Sequence, residues 1–386
     1  MARSLKLGMI VFFGEFVRTG VLITLLPALA TQRWHVGIDA AAWAISAHYL
    51  VDTIGRAPAG WLVDRWGTRR PLAVGMLIAI IALTLLFTIG NRVPLFVLTG
   101  LYGIGTAPLW PATVTEATGD RNQSVGGAMG YVFAAWLVGA GLGPVLTNVL
   151  VHHDFYYAFI LLLGVQAIGA VWAPLVTGFT KRLRRPSTPL HALLSALWRV
   201  RPLLPGMFAQ TMSLGLFLPI INVFAQRVLG LNPYGYAELL FGAGAVAVLL
   251  MVPLGHLSDR IGIKLPLVVG FGLASVAVFL LGGARSFDSA LGFGILAALA
   301  YAFILPAWNS LLASVAPGGA EGSLWGVFMS VEGLGLAVGP VLGARAWDRF
   351  GVRGPFAAAA VLLGVMAVFY LSYPLYRLRR PIGAGD

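Results

Sequence analysis

Glu15 and Arg18 stand three residues apart, and His48, Asp52 and Arg56 follow one another at four-residue intervals, each set inside an apolar stretch. Helical spacings of three and four put side chains on one face, so each set forms a stripe. Carboxylate, imidazole and guanidinium groups held together can take up and release a proton as the local dielectric changes. Glu15 and Asp52 are the expected titrating groups, with Arg18 as counter-charge and His48 beside them. The competing reading is a salt-bridge network that only orients helices. No metal is expected: His152-His153-Asp154 has no nearby ligands and reads as a solvated turn. No cofactor is expected either. The absence of a Gly-x-x-x-x-Gly-Lys-Ser loop argues against ATP hydrolysis, so energy should come from an ion gradient.

The elements that carry these residues must be membrane helices. Of 386 residues 59% are hydrophobic and 10% charged, against roughly 45–50% and about 25% in soluble chains. Apolar runs of about 20 residues, each enough to cross a bilayer as a helix, recur along the whole length. They predict an all-α membrane protein of about twelve spans, near 7–30, 40–63, 70–89, 94–117, 125–150, 156–178, 203–228, 236–257, 265–283, 290–314, 323–344 and 355–376. An ionisable side chain inside such a span is expensive, and its default reading is functional. The first run is too long for a leader and is taken as span one. Zero cysteines exclude disulfides and Cys-ligated metals.

Basic residues cluster on one side, among them Arg65, Arg69, Arg70, Lys181, Arg182, Arg184, Arg185 and Arg260, which predicts that both termini are cytoplasmic. The net charge of +12 is accounted for by these loops against anionic lipid headgroups, without nucleic acid. The polar stretch 181–202 reads as a linker between six-helix bundles at 1–180 and 203–386.

The halves repeat. Gly60-x-Leu62-x-Asp64-Arg65-x-Gly67-x-x-x-Pro71 recurs about 195 residues later as Gly255-x-Leu257-x-Asp259-Arg260-x-Gly262-x-x-x-Pro266. Gly130, Gly139, Gly143 and Pro144 recur as Gly326, Gly335, Gly339 and Pro340, and Pro111-Ala112 as Pro306-Ala307. Parallel repeats of this kind place a substrate site between the halves near the bilayer midplane. Glycines allow close helix packing, and prolines make a bendable seam.

The paired loops resemble the signature loops of the major facilitator superfamily. That resemblance implies a twelve-helix fold, rocker-switch alternating access and a cytoplasmic latch built from Gly60, Asp64, Arg65, Gly67, Arg69, Asp259 and Arg260. The glycine run ending in Gly143-Pro144 looks like the superfamily's antiporter motif, with Thr147-Asn148 in place of its trailing glycine pair. Within the superfamily, Gly14-Glu15-Phe16-x-Arg18, Ser46-x-His48-x-x-x-Asp52, Pro108-Leu109-Trp110, Met129-Gly130-Tyr131-Val132 with Trp136, Leu305-Pro306-Ala307-Trp308-Asn309 and Trp325-Gly326-Val327-Phe328 are similar to the proton-coupled flippases of the lipoteichoic-acid anchor glycolipid. The resemblance implies that the matching acids couple protons and bind headgroup, in a bacterial cell membrane, as a monomer. Arg56 departs from the neutral residue expected there.

The second half lacks a matching acidic cluster; its inner polar groups are Gln210, Asn222, Asn309 and Glu332. A cavity polar on one wall and apolar on the other suits an amphiphile. Glu15, Arg18, Asp52, Trp110, Trp136 and Asn148 are expected to hold a sugar headgroup, with Gln210, Asn309 and Glu332 opposite. Indole rings stack on the apolar faces of sugars; their other reading is interfacial or packing tryptophan. Glu332 is either a second protonation site or a structural carboxylate. A proton-driven multidrug exporter would use the same acids, whereas a membrane enzyme would require catalytic groups at a membrane face and a large soluble loop.

Overall fold

In lipid every backbone polar group must be satisfied within the protein, and an apolar chain without alternating strands does so as helices. The computed structural model describes residues 2–88, 92–118, 125–178, 198, 201–315 and 321–374. Its helices are α1 (Ala2–Thr19), α2 (Leu26–Ala28), α3 (Ile38–Trp66), α4 (Arg69–Thr88), α5 (Arg92–Thr106), α6 (Leu109–Thr118), α7 (Val125–His153) and α8 (Phe155–Val176). There follow α9 (Leu204–Gly215), α10 (Ile221–Arg227), α11 (Pro233–Ile261), α12 (Lys264–Leu281), α13 (Phe287–Val315), α14 (Glu321–Phe350) and α15 (Arg353–Ser372). Among the described residues nine helical stretches are long and apolar enough to cross a membrane. α3 and α14, of 29 and 30 residues, are long enough as well but carry several charged residues, and α9 and α10 are separated by a turn.

Three of the expected spans are remodelled. Span one runs over Ser4–Arg33, with two π-helical stretches, Gly20–Leu25 and Leu29–Arg33, flanking α2. Such bulges mark functional segments often enough to note that the first begins two residues after Arg18. Span four breaks between α5 and α6 at Ala107-Pro108, where proline supplies no N–H. Span seven breaks over 216–220, which contains Pro219, for the same reason. Most of the expected linker and the side chains of Asp64, Asp259 and Asn309 lie outside the described residues.

The chain forms two compact units, one of Met1–Arg185 with Leu218–Phe241, the other of Pro186–Phe217 with Gly242–Asp386. Each unit packs its repeat glycines in the same way. In the first, a Cβ on Gly139 would lie 2.5 Å from the Phe12 carbonyl oxygen, and one on Gly143 would meet that of Phe16. In the second, a Cβ on Gly335 would lie 2.6 Å from the Phe208 carbonyl oxygen, and one on Gly339 2.6 Å from Cα of Gly215. The glycines therefore seat α7 on α1 and α14 on α9 with backbone nearly touching backbone. The signature loops match too: Gly67 at φ +83° closes α3 through its N–H to Val63 O at 2.9 Å, and Gly262 at φ +85° closes α11 through Ser258 O at 2.9 Å. Positive φ is open to glycine without a Cβ clash, which is why it recurs there.

Candidate functional site

The first unit carries a buried charged cluster. Glu15, on α1, is fully buried; Arg18 donates through Nη2 to Glu15 Oε2 at 2.6 Å, and Trp110 on α6 donates its indole N–H to Oε1 at 3.0 Å. Asp52, on α3, is equally buried. Arg56 Nη2 donates to Asp52 Oδ2 at 2.7 Å, and the Thr106 hydroxyl at the end of α5 donates to Oδ1 at 3.2 Å. Arg18 joins the two pairs, its Nη1 lying 3.9 Å from Asp52 Oδ2. Both oxygens of each carboxylate are engaged, in the continuous order Trp110, Glu15, Arg18, Asp52, Arg56. Two acids balance two guanidiniums, as burial of charge in a low dielectric demands.

Local structure sets these positions. The i,i+3 spacing on α1 brings Arg18 to Glu15 and the i,i+4 spacing on α3 brings Arg56 to Asp52. A Cβ on Gly103 of α5 would lie 2.6 Å from the His48 carbonyl oxygen and 3.1 Å from the Asp52 nitrogen. Glycine at 103 thus lets α5 approach the backbone that carries both residues, within reach of Thr106. The His48 ring is fully buried, with centroid distances of 5.0 Å to Tyr102 and 5.3 Å to Tyr49. The guanidinium carbon of Arg18 also stands 5.6 Å from the Tyr49 ring centroid.

The remaining expected residues divide. Trp136 is half-buried on α7, one turn along from Phe133, whose ring centroid lies 5.9 Å from that of Trp110. Asn148 is brought not to the acids but to the far end of α7, where its amide donates to Pro233 O at 2.7 Å and accepts from Asn222 at 3.4 Å. In the second unit Gln210 is buried on α9, and Trp308 donates its indole N–H to Glu332 Oε1 at 3.2 Å. That indole–carboxylate pair gives Glu332 a structural partner on α13.

Among the latch residues, Gly60 faces Pro111, and the Arg65 guanidinium carbon lies 5.3 Å from the Trp61 ring centroid. Thr68 and Gly178 both donate to Glu116 Oε1, at 2.5 and 2.8 Å, and Arg69 packs beside Gly178. Glu116 is fully buried. It ties the signature loop to the end of α8, and it escaped the sequence reading although it was an ionisable residue within an expected span. Arg260 is exposed on α11, and Pro144 and Pro340 sit inside α7 and α14. Tyr49, Tyr102 and Thr106 were also missed. Nothing in their own spacing marks them, since they are neutral residues met across helices.

His152-His153-Asp154 is exposed but is not a turn throughout: the two histidines end α7 and only Asp154 stands between helices, where its carboxylate caps α8 by accepting from the Tyr156 N–H at 2.8 Å, while His153 pairs with the Tyr234 hydroxyl at 3.0 Å. Among the described residues no group of His, Cys, Asp and Glu side chains is arranged to hold a metal ion.

Comparison with known proteins places this architecture. The model of the Major Facilitator Superfamily matches residues 8–289 and 203–385. The chain is similar to the proton-coupled antiporter flippase LtaA of Staphylococcus saprophyticus, 28% identical over 371 residues, which cover 94% of this chain and 92% of that one. Its likeness to the protein of the same description from Staphylococcus aureus is 26% over 94% and 93%. Among solved structures, the nucleoside transporter NupG superposes with a TM-score of 0.76 at 14% identity, over 97% of this chain and 100% of that one. A POT family transporter in complex with a thioalcohol-conjugated peptide gives 0.74 at 13% identity, over 95% of each.

Proposed function

Because the chain belongs to the Major Facilitator Superfamily, we propose that it is a proton-coupled antiporter that flips a glycolipid from the inner to the outer leaflet of a bacterial membrane. The substrate class is a sugar-headed diacylglycerol such as a diglucosyl-diacylglycerol anchor lipid. The chain works by alternating access as a monomer of twelve spans, in bundles of 1–180 and 203–386 joined at 181–202, with both termini cytoplasmic.

The observation that carries this reading is the buried order Trp110, Glu15, Arg18, Asp52, Arg56, linked by contacts of 2.6–3.9 Å. With all five in place the cluster is neutral, and with Thr106 every carboxylate oxygen is satisfied. A proton on Asp52 or Glu15 removes one negative charge and turns an acceptor into a donor, so the neighbouring guanidinium loses its partner. Arg18, shared by both acids, then swings to the remaining carboxylate and lets go of substrate hydroxyls. Exchange of proton for headgroup at one arginine is what an antiport cycle needs, and linkage makes the coupling reciprocal. His48, one turn before Asp52, is the group that passes the proton. Trp110 offers its ring to the sugar while its N–H holds Glu15, with Trp136 as the second stacking ring. Gln210, Asn309 and Glu332 complete the headgroup's hydrogen bonds. The relatives described as proton-coupled antiporter flippases support the same assignment.

The latch consists of Gly60, Asp64, Arg65, Gly67 and Arg69, repeated at Asp259 and Arg260, with Glu116 anchoring the first copy. The Gly143-Pro144 and Gly339-Pro340 pairs serve as bending points.

Leaflet-resolved transport of fluorescent diglucosyl-diacylglycerol in proteoliposomes, with and without an imposed pH gradient, tests the proposal. The gradient should accelerate the wild type and leave Glu15→Gln unaffected. Vesicles that move no glycolipid yet exchange protons for cationic amphiphiles would assign the chain to multidrug export.

A further inference from the structure

Where span one ends, beyond the acids, four carboxamides form a ladder within the first unit. Gln32, on the second π-helical stretch, donates to Gln226 Oε1 at 2.7 Å; Gln226 donates to Asn222 Oδ1 at 2.6 Å, one turn back on α10. Asn222 donates to Asn148 Oδ1 at 3.4 Å, and Asn148 to the Pro233 carbonyl oxygen at 2.7 Å. The ladder begins at an exposed residue, Gln32, and ends at fully buried Asn148. It ties the end of span one and the end of α7 to α10 and to the first residue of α11.

The chemistry of the rungs is uniform. Each carboxamide both donates and accepts, and none is charged. A hydroxyl has the same dual capacity, so a sugar can replace a rung without leaving a buried donor or acceptor unmade, which is the costly event in such places. An ionic latch would have to be desolvated and re-paired at every opening, and an apolar seal would offer a sugar nothing. The Asn222–Asn148 link is the longest of the four and the one that a hydroxyl displaces with least loss.

We infer that the ladder of Gln32, Gln226, Asn222 and Asn148 is a hydroxyl-binding subsite for a sugar headgroup, which opens when sugar hydroxyls take the place of its side-chain links. This rests on the proposed glycolipid substrate and on the proposed orientation, which puts the ladder at the outer face, where the headgroup leaves.

Two measurements on the full-length protein test it. Saturation-transfer NMR with a soluble glucose disaccharide in detergent should give signal on the sugar ring protons with the wild type. That signal should be several-fold weaker with Gln226→Leu, and also with Gln32→Leu, whose exposed position the fold tolerates. Flipping of diglucosyl-diacylglycerol should be about tenfold slower in both variants, the factor expected for loss of one neutral hydrogen bond. Equal sugar signals in wild type and both variants would overturn the subsite, whatever the transport result. Wild-type protein that binds the disaccharide through the ladder but flips no glycolipid would overturn the proposed transport and leave the hydroxyl subsite standing.

Discussion

Arg18 reaches Asp52 on a different helix at 3.9 Å while holding Glu15 on its own helix at 2.6 Å. One guanidinium thus stands between two carboxylates, close to one and within reach of the other. In the proposed cycle a proton on Glu15 frees Arg18 to move toward Asp52, and a proton on Asp52 leaves it with Glu15.

The two arms of Arg18 should differ in strength. A double-mutant cycle of Arg18→Gln with Glu15→Gln should show an interaction free energy in the upper part of the roughly 0.5–3 kcal/mol range for contacting residues. The cycle of Arg18→Gln with Asp52→Asn should fall in the lower part, because 3.9 Å is too long for a hydrogen bond. Thermal unfolding in detergent measures both; equal cycles would contradict the asymmetry.

Asp52→Asn should abolish the acceleration of glycolipid flipping by a pH gradient. A coupling free energy of about 1–3 kcal/mol corresponds to a shift of headgroup affinity with protonation of about 5- to 150-fold in the wild type, and the variant should show none. The wild type should be fastest with the exterior acidic, where protons enter as lipid leaves. A variant that kept the full gradient response would remove Asp52 from coupling.

Trp110→Phe preserves an aromatic face but deletes the N–H that satisfies Glu15 Oε1 at 3.0 Å. It should lower stability by about 1–3 kcal/mol, the cost of a buried acceptor left unmade, and keep most glycolipid binding. Trp110→Ala should lose both. Binding that is equal in the Phe and Ala variants would rule out stacking.

Gly143→Ala and Gly339→Ala should each destabilise by about 1–3 kcal/mol through overpacking. The added Cβ would meet Phe16 carbonyl oxygen in one unit and Gly215 in the other. Gly141→Ala, where nothing lies within 4 Å, is the matched control on the same helix. Melting temperatures that rank the control with the other two would contradict the packing role.

Glu116→Ala should weaken the latch, because the Thr68 hydroxyl and Gly178 N–H both lose their acceptor. Glu116→Gln retains a carbonyl oxygen and should cost much less than the about 1–3 kcal/mol expected for alanine. Proteolysis rates of the loop between α3 and α4 would report the difference.

Much of this protein was legible in its residues. Runs of apolar side chains determine membrane helices, because lipid satisfies no backbone group. Intervals of three and four determine that Arg18 faces Glu15 and Arg56 faces Asp52, because those contacts lie within one helix. The two copies of the signature loop and glycine run determine a repeated packing, and Gly139 and Gly335 meet corresponding carbonyl oxygens, of Phe12 and Phe208. Tertiary structure decided everything that crosses between helices. It chose Trp110 and Thr106 as donors to the acids, tied Glu116 to the signature loop, and sent Asn148 to a ladder with Asn222 and Gln226 instead of to the charged cluster. Periodicity specifies which face of a helix a residue occupies, but not which neighbour meets that face or at what depth. Those depend on how closely backbones approach, at places such as Gly103 against His48 and Asp52.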